Sequence, residues 1–91
     1  MAERRRGKRQ RVPTVWRERG FRFFFYSNEG DPREPPHVHV EKDGREAKFW
    51  LRPEVGLADN DGFDARSLRD LAATVAAQRE RIERAWHEFF G

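Results

Sequence analysis

Residues 37–51 read HVHVEKDGREAKFWL, and this stretch decides the fold. Its first part alternates valine with polar residues, which is typical of a strand that buries one face. The dipeptide Asp43-Gly44 then favours a two-residue hairpin turn of type I′, in which both residues need positive φ angles. The stretch therefore predicts a β-hairpin in which Lys42 pairs with Arg45 and the other pairs follow by counting outward.

This register divides the hairpin into two faces. Counting outward places His39 opposite Lys48 and His37 opposite Trp50, all on one face. The other face is apolar and carries Val38, Val40, Ala47, Phe49 and Leu51. We expect a helix to pack on the apolar face and to leave the histidine face uncovered.

An aromatic strand precedes the hairpin. Residues 21–27 read FRFFFYS, a short run typical of a strand. Its odd-numbered phenylalanines should join the apolar face, and Arg22, Phe24 and Tyr26 should join the histidine face. Residues 12–16 are interpreted as a short strand or an anchoring segment.

Two connecting segments are less regular. Residues 28–36 are rich in glycine and proline and predict a loop. Residues 55–58 predict a short edge strand. The following Asp59-Asn60-Asp61-Gly62 resembles the start of a calcium loop but lacks the later glutamate, so we interpret it as a turn.

The pattern changes to helix at Asp64, a suitable N-cap. Apolar residues then recur at helical spacing and form one stripe, consisting of Leu68, Leu71, Val75, Ile82, Trp86 and Phe89. Gln78 and Arg79 interrupt the stripe, which predicts that the far end of the helix overhangs the sheet and is available to a partner. The predicted fold class is α+β, a three- to four-stranded antiparallel meander with one long C-terminal helix on one face.

Length and charge bound the remaining possibilities. A chain of 91 residues forms one domain. Residues 1–11 hold six basic residues and one acidic residue, whereas the remainder has a net charge of −2. We therefore predict a basic disordered tail at 1–11 and a single domain at 12–91, so the net charge of +3 is no argument for nucleic-acid binding.

Other classes are excluded by composition. The chain has no cysteine, which excludes a disulfide framework and a thiolate zinc site. It has no apolar run of about 20 residues and no recognisable signal peptide. We therefore expect a cytoplasmic protein without a membrane partner.

The uncovered sheet face holds the candidate functional residues. They are Arg22, Phe24, Tyr26, His37, His39, Lys48 and Trp50. One interpretation is a protein interface, since Phe24 and Trp50 would be unusual if bare in a monomer. A second is nucleic-acid binding, in which the aromatic rings stack on unpaired bases and Arg22 and Lys48 hold phosphates.

A third interpretation of this face is metal-independent RNA cleavage. His37, His39 and Tyr26 would be the catalytic residues, because an imidazole can take the proton of a 2′-hydroxyl near neutral pH. Another group would protonate the leaving oxygen, and nearby cations would stabilise the charge of the transition state. All three interpretations remain open.

The two histidines of β-hairpin residues 37–51 are also candidate metal ligands. His37 and His39 point the same way about 6.5–7 Å apart along a strand, and such a pair can converge on one ion. A catalytic zinc needs a third protein ligand. The remaining histidine, His87, lies about 130° from the centre of the apolar stripe, on a helix that packs against the opposite sheet face. Metal binding is therefore left unassigned, and no cofactor is expected.

Four ordered blocks of the sequence resemble a known bacterial family. The blocks are GFRFFFYSNE at 20–29, EPPHVHV at 34–40, AKFWL at 47–51 and WHEFF at 86–90. They resemble the domain of unknown function 4160, and the resemblance covers residues 12–90. Matching positions include Arg22, Tyr26, His37, His39, Lys48, Trp50, Trp86 and His87.

The resemblance implies a protein partner but does not identify an enzymatic activity. The family has no established activity to carry over, and its members are often encoded beside another small domain, an arrangement that resembles a toxin–antitoxin pair. This implies a small cognate protein as partner and an RNA-directed activity, with a homo-oligomer as the alternative. The presence of His87 among the matching positions implies that the end of the helix reaches the histidine pair, where it would help bind RNA or a partner.

Family members commonly begin with Met-Pro-Thr-Val, which matches residues 12–15 here. We therefore hypothesise that residues 1–11 are read through from an alternative start. N-terminal mass analysis of the native protein tests this, and a mature chain retaining Arg4 to Arg11 would contradict it.

Overall fold

The computed structural model describes residues 13–27 and 34–91. The predicted tail at 1–11 and most of the predicted loop at 28–36 lie outside the described residues. Within them the chain forms five strands and two helices: β1 (Thr14–Glu18), β2 (Phe21–Phe24), β3 (His37–Lys42), β4 (Arg45–Trp50), β5 (Gly56–Asp61), α1 (Ala65–Ala77) and α2 (Arg79–Phe90).

The strands form one antiparallel sheet whose order, β1-β2-β3-β4-β5, follows the chain. The α+β class is confirmed, but three to four strands is too few. β5 continues to Asp61, so the segment interpreted as a turn is mostly strand. The extension comes from pairing of residues 59–61 with β4, after a bulge that passes over Ala58 between the pairs Phe49–Leu57 and Lys48–Asp59.

Two tight turns set the register of the meander. Asp43 and Gly44 have φ angles of 53° and 80°, and the register predicted for β3 and β4 is confirmed. Arg19 and Gly20 have φ angles of 54° and 85° and join β1 to β2 in the same way. Positive φ at both positions suits hairpins because it matches the twist of the strands.

The prediction of one long helix is wrong. Asp64 caps α1 as expected, since its carboxylate accepts a 2.8 Å bond from the Ser67 amide, and this bond lowers the pKa of Asp64. The helix then breaks at Gln78, which has φ −105° and ψ 13°. The break lets two short helices follow the twisted sheet, and α2 packs on the core instead of overhanging it.

The end of the predicted apolar stripe also shifts by one residue. Phe89 is 42% exposed, whereas Phe90 packs against Trp86 at a ring distance of 4.2 Å. Residues four apart share a helix face, so Phe90 rather than Phe89 continues the line from Ile82 and Trp86.

The core lies between the helices and the predicted apolar face of the sheet, which is confirmed. Its buried residues are Phe23, Phe25, Val38, Val40, Ala47, Phe49, Leu51, Phe63, Leu71, Val75, Ile82 and Trp86. Among the described residues, no helix is long and apolar enough to cross a membrane.

Candidate functional site

The candidate site is the helix-free face, the sheet face opposite α1 and α2. It is built from alternate residues of the three central strands and from the segment that follows β2, namely Arg22, Phe24, Tyr26, His37, His39, Glu41, Glu46, Lys48 and Trp50. The pairings His39–Lys48 and His37–Trp50 were predicted and are confirmed. The structure therefore brings together every predicted site residue except His87.

A cluster of three side chains, Tyr26, His39 and Glu46, lies near the centre of this face. The Tyr26 hydroxyl donates to both carboxylate oxygens of Glu46, at 2.9 and 3.0 Å. His39 Nδ1 lies 3.2 Å from Glu46 Oε2, and the Tyr26 and His39 rings meet edge to face at 4.6 Å. Glu46 thus orients the Tyr26 hydroxyl and lies beside the His39 imidazole.

Sequence reasoning missed Glu46 as a site residue. The signal was present, because Glu46 pairs with Glu41 and lies two residues from Lys48, the partner of His39. Alternation places all four side chains on one face. Diagonal neighbours of this kind lie within reach of each other's side chains.

His37 has a different environment from His39. Its side chain is 0% exposed, and its Nδ1 lies 2.9 Å from the Pro35 carbonyl oxygen. A carbonyl can only accept, so Nδ1 carries the proton of this bond. The ring also packs 4.9 Å from Trp86 of α2 and 5.5 Å from Trp50. His37 therefore ties the edge of the face to the core.

Two cations flank the cluster, and each covers an aromatic ring. The Arg22 guanidinium lies 4.1 Å from the Phe24 ring centre and 3.6 Å from a Glu41 oxygen. Lys48 lies 4.5 Å from the Trp50 ring centre and donates a 3.0 Å bond to Glu34.

Of the two aromatic rings that suggested an interface, only Trp50 is partly exposed. Phe24 is only 1% exposed, with the His39 ring 5.5 Å away and the Tyr26 ring 5.1 Å away. The expectation that Phe24 is bare in a single chain is therefore wrong. Trp50 is half-buried and therefore offers more aromatic surface than Phe24 on this face.

His87 is not brought to the histidine pair. It is exposed in the last turn of α2 and acts electrostatically on Glu83, whose pKa is lowered chiefly by a hydrogen bond from Arg52. The preceding residue, Trp86, makes the contact with His37. The family block at residues 86–90 therefore reaches the site through its tryptophan.

Metal binding gains no support from the part of the chain that the structure describes. No group of three or more His, Asp or Glu side chains in it is placed to hold an ion. His37 Nδ1 is directed to a carbonyl, and His39 Nδ1 to a carboxylate.

Two cavities lie elsewhere on the molecule. One of about 130 Å³ opens between α1 and the β1–β2 turn, and one of about 350 Å³ lies at the junction of the helices. Neither of these two is lined by a residue of the helix-free face. The described part of that face is a sheet surface, not the wall of either cavity.

Comparison with known proteins assigns a family. The family described as domain of unknown function (DUF4160) matches residues 20–87. No curated protein and no solved structure matches the chain. The chain belongs to the DUF4160 family.

Proposed function

We propose that this member of the DUF4160 family is a protein-interaction domain, one component of a two-protein module resembling a toxin–antitoxin pair. Its working surface is the helix-free face. The observation that carries the proposal is that α1 and α2 cover one side of the sheet while the described residues leave the half-buried Tyr26 and Trp50 on the other.

The edges of the sheet are poor alternatives to this surface. β1 has a bulge at Val15, and β5 has one at Ala58. Bulges at edge strands disturb the row of backbone groups that another strand would need for pairing. Contact with another protein is therefore directed to the face.

The chemistry of the face suits a protein partner. It combines half-buried aromatic rings with Arg22, a composition enriched in interfaces. Its cations are interspersed with carboxylates, which suits a mixed protein surface better than a phosphate backbone.

The test is the effect of Trp50→Ala on binding to a small protein encoded beside this gene, the kind of partner that the family resemblance implies. We expect binding to weaken about thirtyfold, as for a central aromatic anchor. Leu57→Ala is the matched control, because Leu57 is exposed but pairs with Phe49, a residue of the core face. Equal binding by wild type and Trp50→Ala, with unchanged melting temperature, would contradict the proposal.

RNA cleavage is the second candidate function, and the Tyr26–His39–Glu46 cluster favours it. Glu46 would hold the imidazole of His39 while the ring takes the proton of a 2′-hydroxyl. The 2′-oxygen then attacks phosphorus, the bond to the 5′-oxygen breaks, and Tyr26 protonates that leaving oxygen. The products are a 2′,3′-cyclic phosphate and a free 5′-hydroxyl, with Arg22 and Lys48 stabilising the charge at phosphorus.

This second function is tested with an unstructured RNA and the variants His39→Ala and Glu46→Gln. Both should lose cleavage by at least about a hundredfold, the usual contribution of a general base. His87→Ala should cleave like the wild type, because His87 is exposed on α2, away from the cluster. Full activity in His39→Ala would exclude the mechanism.

A further inference from the structure

We infer that, until the partner protein binds and displaces it, a second copy of this chain covers the helix-free face, packed face to face about a two-fold axis parallel to β3. The inference rests on the proposed function of this face as an interface. It follows from the order of charges along one row of the sheet.

That row crosses all five strands. The pairings Arg17–Arg22, Arg22–Glu41, Glu41–Glu46 and Glu46–Asp61 place one charged residue of each strand side by side. Alternation puts all five on the helix-free face. From β1 to β5 the row therefore reads two positive charges followed by three negative charges.

A two-fold axis parallel to the central strand reverses this row on itself. β1 of one copy then lies over β5 of the other, and β2 lies over β4. Arg17 meets Asp61, Arg22 meets Glu46, and the same two pairs repeat on the other side of the axis. Only Glu41 meets its own copy, and Arg22 lies 3.6 Å from it within each chain.

The other two-fold arrangement is unfavourable. An axis across the strands and along this row places β1 over β1 and β5 over β5. Arg17 would then be near a second Arg17, and Asp61 near a second Asp61. Like charges brought together in this way are costly at an interface.

Exposure and reach allow these contacts. Arg17 and Asp61 are exposed, and neither side chain is engaged in a hydrogen bond or ion pair within the described chain. Packed sheets lie about 10 Å apart, a gap that an arginine and a facing carboxylate span together. The same packing would cover Trp50 and close the Tyr26–His39–Glu46 cluster.

Sedimentation velocity over a range of protein concentrations tests the inference. We expect the full chain to form dimers that weaken with added salt, because exposed charge pairs are screened. Arg17→Glu or Asp61→Arg should each raise the dimer dissociation constant about tenfold, since each change affects two symmetric pairs. Combining the two substitutions restores opposite charges and should bring the constant back towards the wild-type value.

Arg69→Glu is the matched control, because Arg69 is exposed on α1 and the substitution changes the charge equally. It should leave the dimer unchanged, and all variants should melt at the wild-type temperature when each is diluted until it is monomeric. A wild type that is monomeric at every concentration would overturn the inference. A double variant whose dimer dissociation constant is as high as that of the more weakly associating single variant would overturn it too. A monomer that still binds the neighbouring gene's protein through Trp50 would overturn the inference alone and leave the proposed function standing.

Discussion

Single residues determine how the helix-free face is held together, and Glu46 shows this most clearly. Its carboxylate accepts the Tyr26 hydroxyl twice and lies 3.2 Å from His39 Nδ1. A carboxylate can accept several bonds at once, whereas an amide offers a single acceptor oxygen. One glutamate therefore holds the Tyr26 hydroxyl of the segment after β2 and contacts the His39 ring of β3.

Glu83 gives the stability of the protein a defined pH dependence. Two hydrogen bonds from Arg52 hold the pKa of Glu83 below its usual value of 4.5. A carboxylate with a lowered pKa stabilises the folded state above its unfolded pKa, and this contribution is lost as pH falls through the folded pKa. We expect the free energy of unfolding to decrease below about pH 4.5, and Glu83→Gln to reduce that decrease.

Urea denaturation at a series of pH values measures this effect. Glu54→Gln is the control, because Glu54 is exposed and has no bonded partner in the described chain. If the free energy of unfolding falls equally steeply below about pH 4.5 in the wild type and in Glu83→Gln, Glu83 is not the source of the pH dependence.

At the scale of elements, the turns carry much of the information that fixes the sheet. Gly44 has a φ of 80° with no atom within 4 Å of where a Cβ would lie. Gly44→Ala should therefore cost about 1 kcal/mol through backbone strain alone. Chemical denaturation measures this change.

Gly56→Ala is the matched control for this turn. Gly56 lies in β5 without a positive φ, and its nearest neighbour to a new Cβ, the Glu54 carbonyl oxygen, is at 4.0 Å. We expect Gly56→Ala to keep the stability of the wild type or to raise it by up to about 1 kcal/mol. Equal losses in the two variants would show that the φ of Gly44 is not the cause.

The elements also show what can be predicted from sequence. Strict alternation and the Asp43-Gly44 turn predict β3, β4 and their register, because a one-residue slip would bury the polar face. The break at Gln78 has no such local signal, since no glycine or proline marks it. The break arises from packing on a sheet of five strands, which is larger than the predicted sheet of three to four strands.

At the scale of the whole molecule, Trp86 joins the two sides of the sheet. It is 0% exposed, meets Phe25 at 5.3 Å in the core and contacts His37 at 4.9 Å. Trp86→Ala should cost about 3–5 kcal/mol, a large part of the stability of a small domain. It should also alter the environment of the His37 ring.

Denaturant titration and the His37 ring signals in NMR spectra measure these two effects. Phe89→Ala is the control, since Phe89 lies in the same helix but is 42% exposed. A stability loss in Phe89→Ala as large as in Trp86→Ala would contradict the role given to Trp86. The helical spacing predicts that Trp86 lies in the core. It cannot predict the contact with His37, because that histidine belongs to the other face of the sheet.

The agreement between strand order and chain order has a consequence for folding. Each strand pairs with its immediate neighbour in sequence, and the helices follow the completed meander. Contacts close in sequence form with a small loss of loop entropy and are associated with fast folding. The sheet can therefore assemble hairpin by hairpin, but its apolar face stays open to water until residues 65–90 have joined it. Folding of this protein is completed by its last third, and a nascent chain that stops before α2 would expose the surface most prone to aggregation.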